Sequence, residues 1–504
     1  MGIYWGDIHN HCGISYGYGS LKNALSVARE QMDFCAVLGH ASWHDLPDKD
    51  GPYIDYLKNY HNKGFEKFAI KWEYVKETIE RANKPHEFIT FQGYEAHSCK
   101  YGDYHFISPN FDLPLIKNAS PLIIAKNIAK KISPKSIIAI PHHIAYSPNY
   151  RGINWGYFIE NLSPVVEVYS KHGCSISDIS PYPYLHTMGP RDSRNTVETG
   201  LRLGKKFGFI ASSDNHAGYP GSYGDGRLAV ICSKKTRKEI WEALLNRRTY
   251  AVTGDKIQCN FLINGAVMGS EVESSNEREI ELRVTACDLI DKIVLYKNFK
   301  PWKVICGETI DSIKKSGNYK VRLEMGWGRQ IEGFSWHGKI DIQDGKLKTV
   351  ETCFRGADFL SPSNNYNIKD TLNINKINNK IIKKNENAVE WKCVSFKNKS
   401  TLHSQTAALI FEICGDKWTT LKINLNGKKI KKSLGELFKG NWGVQLKNYN
   451  SESFLIHRAI PEDKYFFQSF WRDLKPELSC DIYYVEVIQN NRQCAWISPI
   501  YVLA

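Results

Sequence analysis

The 504 residues include 13 cysteines but not one C-x-x-C pair. That excludes both a zinc ribbon and a thioredoxin-type redox site, and the thiols read as reduced and packed. No run of 18 apolar residues occurs, so no transmembrane helix is expected. The opening Met1-Gly2-Ile3-Tyr4-Trp5-Gly6-Asp7 has no basic n-region, apolar h-region or small-residue cleavage site, and a soluble, cytoplasmic protein is the expectation. No G-x-x-x-x-G-K-[ST] loop is present, which argues against an NTPase. There is no internal repeat, and low complexity is confined to the Asn/Lys-rich stretch between Asn364 and Asn387.

Composition is otherwise globular, 42% hydrophobic and 24% charged, in a chain too long for one typical domain of roughly 100–200 residues. Lys and Arg exceed Asp and Glu by 67 to 53. The excess is concentrated after Asp255, where 37 bases face 28 acids, against 30 and 25 over residues 1–255. Its densest runs are Lys428 to Lys432, beside an Asn-Gly turn, and Lys380 to Lys384. Lysines on a solvated hairpin edge discourage strand-to-strand aggregation. No aromatic-interleaved motif accompanies them, so a nucleic-acid partner is not expected. Histidine is more informative: of 16, 13 precede Asp255 and only His337, His403 and His457 follow it. Neutral imidazole is the commonest metal ligand, and the skew points to a metal site.

Up to Asp255, short apolar runs alternate with helix-period segments, the pattern of β/α units. Ser20 is placed to cap a helix that buries Leu21, Ala24, Leu25 and Ala28. The runs Phe34 to Leu38, Phe88 to Phe91, Ile137 to Ile140, Val165 to Val168 and Phe207 to Ala211 each lead into residues that bind metals. Those residues are His40, Glu95, His142-His143, His172 and Ser213-Asp214-Asn215-His216. Strand ends of a β/α barrel converge on one mouth, so the repeated placement predicts a single site. After Asp255 the segments are short, β-branched or alternating and separated by Gly/Asn/Asp turns, the pattern of a β-sandwich. The expected division is a barrel over 1–255 and a β-rich region over 256–504.

In a strand, His9 and His11 of Asp7-Ile8-His9-Asn10-His11 point the same way and can share an ion. Asp214 and His216 add a hard oxygen and a borderline nitrogen, a mixture suited to Zn, Mn or Fe. Glu95 can bridge two cations roughly 3.5–4 Å apart. Adjacent strand residues point oppositely, so only one of His142 and His143 is expected to ligate.

Gly6-Asp7-Ile8-His9-Asn10-His11, Leu38-Gly39-His40, Gly93-Tyr94-Glu95, Ile140-Pro141-His142-His143, Val166-Glu167-Val168 with His172, and Ser213-Asp214-Asn215-His216 resemble, in order and spacing, the PHP (polymerase and histidinol phosphatase) metallohydrolases. Arg247-Arg248-Thr249-Tyr250-Ala251-Val252-Thr253-Gly254 and Ala495-Trp496-Ile497-Ser498-Pro499-Ile500-Tyr501-Val502 resemble a subfamily with a β-rich C-terminal region. The resemblance implies an α/β plus all-β fold: a distorted (β/α)7 TIM-like barrel, then a sandwich-type domain. It also implies two or three divalent ions at the barrel mouth. His9, His11, Glu95 and Asp214 would hold the first, and Glu95, His142 and His172 the second. His40 and His216 would hold a third, with a side chain shortly after the H-x-H. There the chain departs from the pattern, since Ser15-Tyr16-Gly17 stands where many relatives carry Asp or His. A phenol of pKa ≈ 10 is a poor ligand at neutral pH, so a third site would need His44 or Asp45 to compensate.

Cations bridged by a carboxylate supply hydroxide near neutral pH, so no serine-nucleophile elbow or Cys-His pair is expected. Glu95, Asp214 and His216 are the candidate catalytic residues. Arg227, Lys171 and His105 are the first candidates to contact a small anionic substrate, with Arg151 behind them. The leading expectation is a metal-dependent phosphoesterase. Hydrolysis of an amide or ester bond, or a binding role for the β-rich half on nucleic acid or glycan with the barrel as scaffold, are the alternatives.

Overall fold

The apolar runs fold as short buried strands in the computed structural model, which describes residues 1–46, 52–117, 119–273, 277–310, 316–328, 333–359, 377–396 and 405–503. His403 and most of the Asn/Lys-rich stretch lie outside the described residues. The architecture is mixed α/β and rich in strands, with seven α-helices among the described residues. Ser20 caps the helix Leu21–Gln31 by accepting from the Asn23 N–H at 3.2 Å, and Leu21, Ala24, Leu25 and Ala28 are buried as their spacing predicts.

The strand Gly2–Asp7 pairs in parallel with Phe34–Cys35, which pairs in parallel with Ile89–Thr90. A second sheet runs Gly39–Trp43, Gln92–His97, Tyr104–Ser108, Ile138–Pro141, and a third joins Gly208–Ala211 to Val165–Ser170 in parallel. Among the described residues these strands divide among separate sheets, and their pairings close no barrel ladder. The departure from a regular β/α alternation has a local cause. Tyr104–Ser108 returns antiparallel on Gln92–His97, with no helix between them. Register also shifts between His40 and Ser42 and between Ile210 and Ala211.

Pairing also crosses the expected boundary after residue 255. Gly2–Asp7 pairs antiparallel with Arg227–Cys232, which pairs with Thr249–Val252, and that strand pairs with Cys494–Leu503 near the C-terminus. The same sheet continues through Cys480–Gln489 and Ile290–Lys297 to Lys300–Cys306. One buried cluster follows the seam, with Ala229, Tyr250 and Val252 packed beside Val485, Ile497 and Val502.

Farther along, two antiparallel sheets share a core of Tyr319, Val321 and Leu323 from one and Trp336, Ile340, Val389 and Trp391 from the other. The Lys runs lie where edge protection predicts. Lys380–Lys384 and Lys428–Ser433 are the two outer strands of the five-stranded sheet. Asn426 (φ 48°) and Gly427 (φ 83°) make the two-residue turn into the second of them. No described helix is long and apolar enough to cross a membrane.

Candidate metal centre

The strand Gly2–Asp7 ends at a buried carboxylate that ties two distant loops together. Asp7 accepts from the Ser213 hydroxyl at 2.5 Å, the Gly221 N–H at 2.7 Å and the Ser213 N–H at 3.2 Å. The loop carrying Asp214 and His216 is thereby pinned to the strand end that leads into His9 and His11. Asp214 itself is left-handed at φ 48°, a conformation that costs a non-glycine residue energy, and its N–H donates to the His9 carbonyl at 2.8 Å.

Two carboxylates share out a ring of imidazoles. Glu95 Oε2 faces His11 Nε2 at 3.1 Å and the Nε2 atoms of His9 and His40 at 3.4 Å. Its other oxygen, Oε1, lies 3.0 Å from His97 Nδ1 and 3.1 Å from His142 Nε2. Asp214 Oδ1 faces His11 Nε2 at 3.2 Å and His9 Nε2 at 3.4 Å, and Oδ2 lies 2.9 Å from His172 Nε2. His11, His40 and His216 form a further cluster, with ring centroids 3.9 Å and 4.4 Å from His11. All of these side chains are buried.

The far side of each ring explains its orientation. His9 Nδ1 is held by Glu167 at 2.8 Å, His11 Nδ1 by the Leu38 carbonyl at 3.2 Å, His40 Nδ1 by Ser15 Oγ at 2.9 Å, and His216 Nδ1 by the Asp214 carbonyl at 3.0 Å. Each partner turns Nε2 inward, as outer partners of metal-ligating histidines do. Among the described residues, His9 Nε2, His11 Nε2, Glu95 Oε2 and Asp214 Oδ1 are buried with no hydrogen-bond partner. Buried polar atoms are rarely left so. His9, His11 and Glu95 form a group that could hold an ion, and Asp214 Oδ1 faces the same two nitrogens, a donor set of two nitrogens and two oxygens that fits a divalent ion.

The electrostatics divide the site: burial lowers His9 and His11, but the carboxylates of Glu167, Asp214 and Glu95 outweigh it and raise His9 well above, and His11 above, an ordinary histidine. Burial pushes Glu95 and Asp214 toward the protonated form, but the surrounding imidazoles outweigh it and hold both well below the usual carboxylate range. Burial, reinforced by neighbouring rings, takes His40, His105, His143 and His216 well below an ordinary histidine, leaving the neutral form that ligates. Glu167 is pushed up to about 7 by burial, against the pull of His9.

The eight expected ligands come together, with one change of partner: His172 faces Asp214, whereas His142 faces Glu95. His143 is left-handed at φ 33° and turns to Asp103 Oδ2 at 3.3 Å, so only His142 of the pair faces Glu95. His105 joins the cluster floor, stacked on His9 at 4.7 Å with Nδ1 3.2 Å from His142 Nδ1. It sits directly across the antiparallel ladder from Glu95.

Two expected substrate contacts are committed elsewhere. Arg227 is buried and donates to the Gly221 and Gly254 carbonyls and to Gln31 Oε1, stapling loops together. Lys171 is paired with Asp225 at 3.5 Å and with Asp358, so its charge is already balanced within the fold. Neither His44 nor Asp45 completes a third set. Asp45 accepts from Ser98 Oγ and from the Cys99 and Lys100 N–H groups, while His44 stacks on Tyr101. Tyr16 stacks on His40 at 3.7 Å and points its hydroxyl at His97 Nε2, 2.8 Å away.

Sequence reasoning missed four residues: Glu167 as the partner of His9, and His97, Asp103 and Ser15. It also overlooked that Gly13-Ile14-Ser15-Tyr16-Gly17 has the G-x-S-x-G spacing. That spacing marks a nucleophile elbow only on a strand-turn-helix corner with an exposed serine. Ser15 is instead buried, in a stretch outside strand and helix.

No family model matches the chain. It is similar to uncharacterized proteins of three chlamydiae. Identity is 33% over 287 residues for Chlamydia trachomatis (54% of this chain, 43% of that one). It is 29% over 341 residues for Chlamydia muridarum (63% and 49%) and 27% over 248 residues for Chlamydia pneumoniae (45% and 39%). The chain thus spans less than half the length of these relatives. Among solved structures, a two-domain protein of Bacteroides vulgatus containing a predicted PHP-like metal-dependent phosphoesterase matches at 15% identity. That match covers 62% of this chain and 82% of that one, with a TM-score of 0.31. PsfC of Pseudomonas syringae matches at 14% identity over 49% of this chain and 91% of that one, also with a TM-score of 0.31.

Proposed function

We propose that the chain is a metal-dependent hydrolase of PHP type, a phosphoesterase acting on a small anionic substrate, with its separate sheets forming sectors of a distorted barrel. The observation that carries this reading is the convergence of His9 Nε2, His11 Nε2, Glu95 Oε2 and Asp214 Oδ1, buried and without hydrogen-bond partners. Those four would hold one ion. Glu95 Oε1 with His142, and Asp214 Oδ2 with His172, would extend the centre to a second, and His40 and His216 flank His11 where a third would lie. Zn, Mn or Fe suits this mixture of imidazole and carboxylate. When bound, such ions supply a Lewis acid and lower the pKa of water.

The chain's own residues do the rest. Glu167, Ser15 and the Leu38 carbonyl orient the ligating rings, and Asp7 fixes the Asp214 loop. His216 keeps Nε2 available to hold an ion or a proton. Arg151, the remaining expected cation, is engaged as Arg227 and Lys171 are, through Asp103, so a substrate anion would have to share one of these paired cations.

A second reading has one observation behind it. Ser15 Oγ lies 2.9 Å from His40 Nδ1, and His40 Nε2 lies 3.4 Å from Glu95, a serine-histidine-carboxylate order. One experiment separates the two: assay phosphate mono- and diesters with and without added Mn, using wild type, Asp214→Ala and Ser15→Ala. The proposal expects chelator-sensitive turnover that Asp214→Ala abolishes and Ser15→Ala largely keeps. Activity surviving Asp214→Ala but lost with Ser15→Ala would reverse the choice, and silence toward every phosphoester would point to an amide or ester substrate.

A further inference from the structure

Beside the ligand ring lies a second buried network that contributes no proposed ligand. Its centre is Asp103, 1% exposed, immediately before the strand Tyr104–Ser108. Asp103 Oδ1 accepts from the Ser98 N–H at 2.9 Å. Its Oδ2 accepts from Arg151 Nε at 2.7 Å and from Arg151 Nη2, and it lies 3.0 Å from His97 Nδ1 and 3.3 Å from His143 Nε2. Arg151 is left-handed at φ 69° and lies over the Trp43 ring at 4.8 Å, with Nη2 2.8 Å from the same His97 nitrogen. His97 is therefore held on both sides, by Tyr16 at Nε2 and by Asp103 at Nδ1. That Nδ1 also lies 3.0 Å from Glu95 Oε1.

We propose that His97 and Asp103, anchored by Arg151, are positioning residues that grip Glu95 by Oε1 and so aim Oε2 at His9, His11 and His40. The logic is geometric. A glutamate has three rotatable bonds, and ordering such a side chain costs conformational entropy. A carboxylate that must present one oxygen to a cluster is preorganised when its other oxygen is fixed. His97 supplies the fixed point, its Nδ1 shared between Asp103 Oδ2 and Glu95 Oε1, and Arg151, whose Nε and Nη2 both donate to that Asp103 oxygen in charge-assisted bonds, anchors Asp103 in turn. The same Asp103 oxygen lies 3.3 Å from His143 Nε2, while His142 Nε2 lies 3.1 Å from Glu95 Oε1.

This inference rests on the metal-centre reading, and the test tells the two apart. Co(II) is titrated into the full chain as wild type, Asp103→Asn, Asp103→Glu and His97→Gln, and each is followed by its d–d absorption and by competition with a chelating dye. Outer partners of ligands are worth about 10–100-fold in metal affinity. Asp103→Asn and His97→Gln are therefore expected to bind Co(II) about 10–100-fold more weakly with altered d–d bands, and Asp103→Glu, which keeps the charge, to recover part of the loss. Folded Asp103→Asn or His97→Gln protein that binds Co(II) with wild-type affinity and spectrum would overturn the proposal. Should Asp103→Asn fail to fold by circular dichroism, His97→Gln decides it alone. Wild-type protein that takes up no Co(II) would refute the metal centre itself, and this inference with it.

Discussion

Asp255→Ala is expected to be among the most destabilising single changes in the chain. Asp255 is 1% exposed and stands just after the strand Thr249–Val252. Arg322, from the strand Gly317–Gly326, donates to its two oxygens at 2.9 Å and 2.7 Å. Tyr223 adds its hydroxyl at 2.8 Å, Gln489 its amide at 2.7 Å and Asn491 its amide at 2.8 Å. Burial alone would raise the carboxyl pKa, but Arg322 and these donors hold it below the ordinary value. Breaking a buried pair from one side costs about 3–5 kcal/mol, because the remaining charge has no partner. Water entering the gap would satisfy Tyr223 and the two amides in part, so about 4 kcal/mol is the working figure. Because the network joins elements from both sides of residue 255, urea unfolding should shift to lower midpoint and split into two steps, followed by tryptophan fluorescence and far-UV circular dichroism together. The double change Asp255→Leu with Arg322→Met removes both charges and should cost less than the single one. A loss below about 1 kcal/mol for Asp255→Ala, or a double variant no better than the single, would refute the reasoning.

Two further outcomes are expected at the centre and its surroundings. His61 is buried against Tyr16, Trp43 and Phe65, and burial, helped by His97, lowers its pKa from 6.5 to about 3. Its folded value lies below its unfolded one, so the stability it permits is present above pH 6.5 and is lost as pH falls toward 3. At 1.36 kcal/mol per unit this amounts to about 2 kcal/mol at pH 5, and His61→Phe should flatten the acid limb of a denaturation-midpoint profile by that much, where an unchanged slope would count against it. Glu167→Gln keeps the size of the side chain but weakens the charge-assisted bond to His9 Nδ1, and should cost about 10–100-fold in affinity for the first ion, measured by chelator competition. Equal affinity would mean that Glu167 does not orient His9.

What could be read from the sequence divides along physical lines. The ring of imidazoles and carboxylates was legible because each member follows an apolar run, even though those runs fold into separate sheets. The Lys runs were legible for a similar reason: they carry a charge pattern that only an edge strand tolerates, and an Asn-Gly turn marks one of them. Long-range partners left no local mark. Glu167 is separated from His9 by 158 residues, and nothing in its strand distinguishes a ring-orienting carboxylate from a buried one. Arg227 and Lys171 looked like free cations because one-dimensional proximity to Asp214 and His172 does not reveal that Gly221, Gly254, Asp225 and Asp358 claim them. The sheet that crosses residue 255 was hidden too, since the pairing of Thr249–Val252 with Cys494–Leu503 joins segments more than two hundred residues apart.

His9, His11, Glu95 and Asp214 are proposed to hold a divalent ion together. Metal analysis of the purified full chain by plasma mass spectrometry, beside Asp214→Ala prepared in the same way, tests it most directly. The wild type is expected to carry two to three equivalents of Zn, Mn or Fe, and the variant at least one fewer. A metal-free wild type that also takes up none from added Mn, Zn or Fe would contradict it.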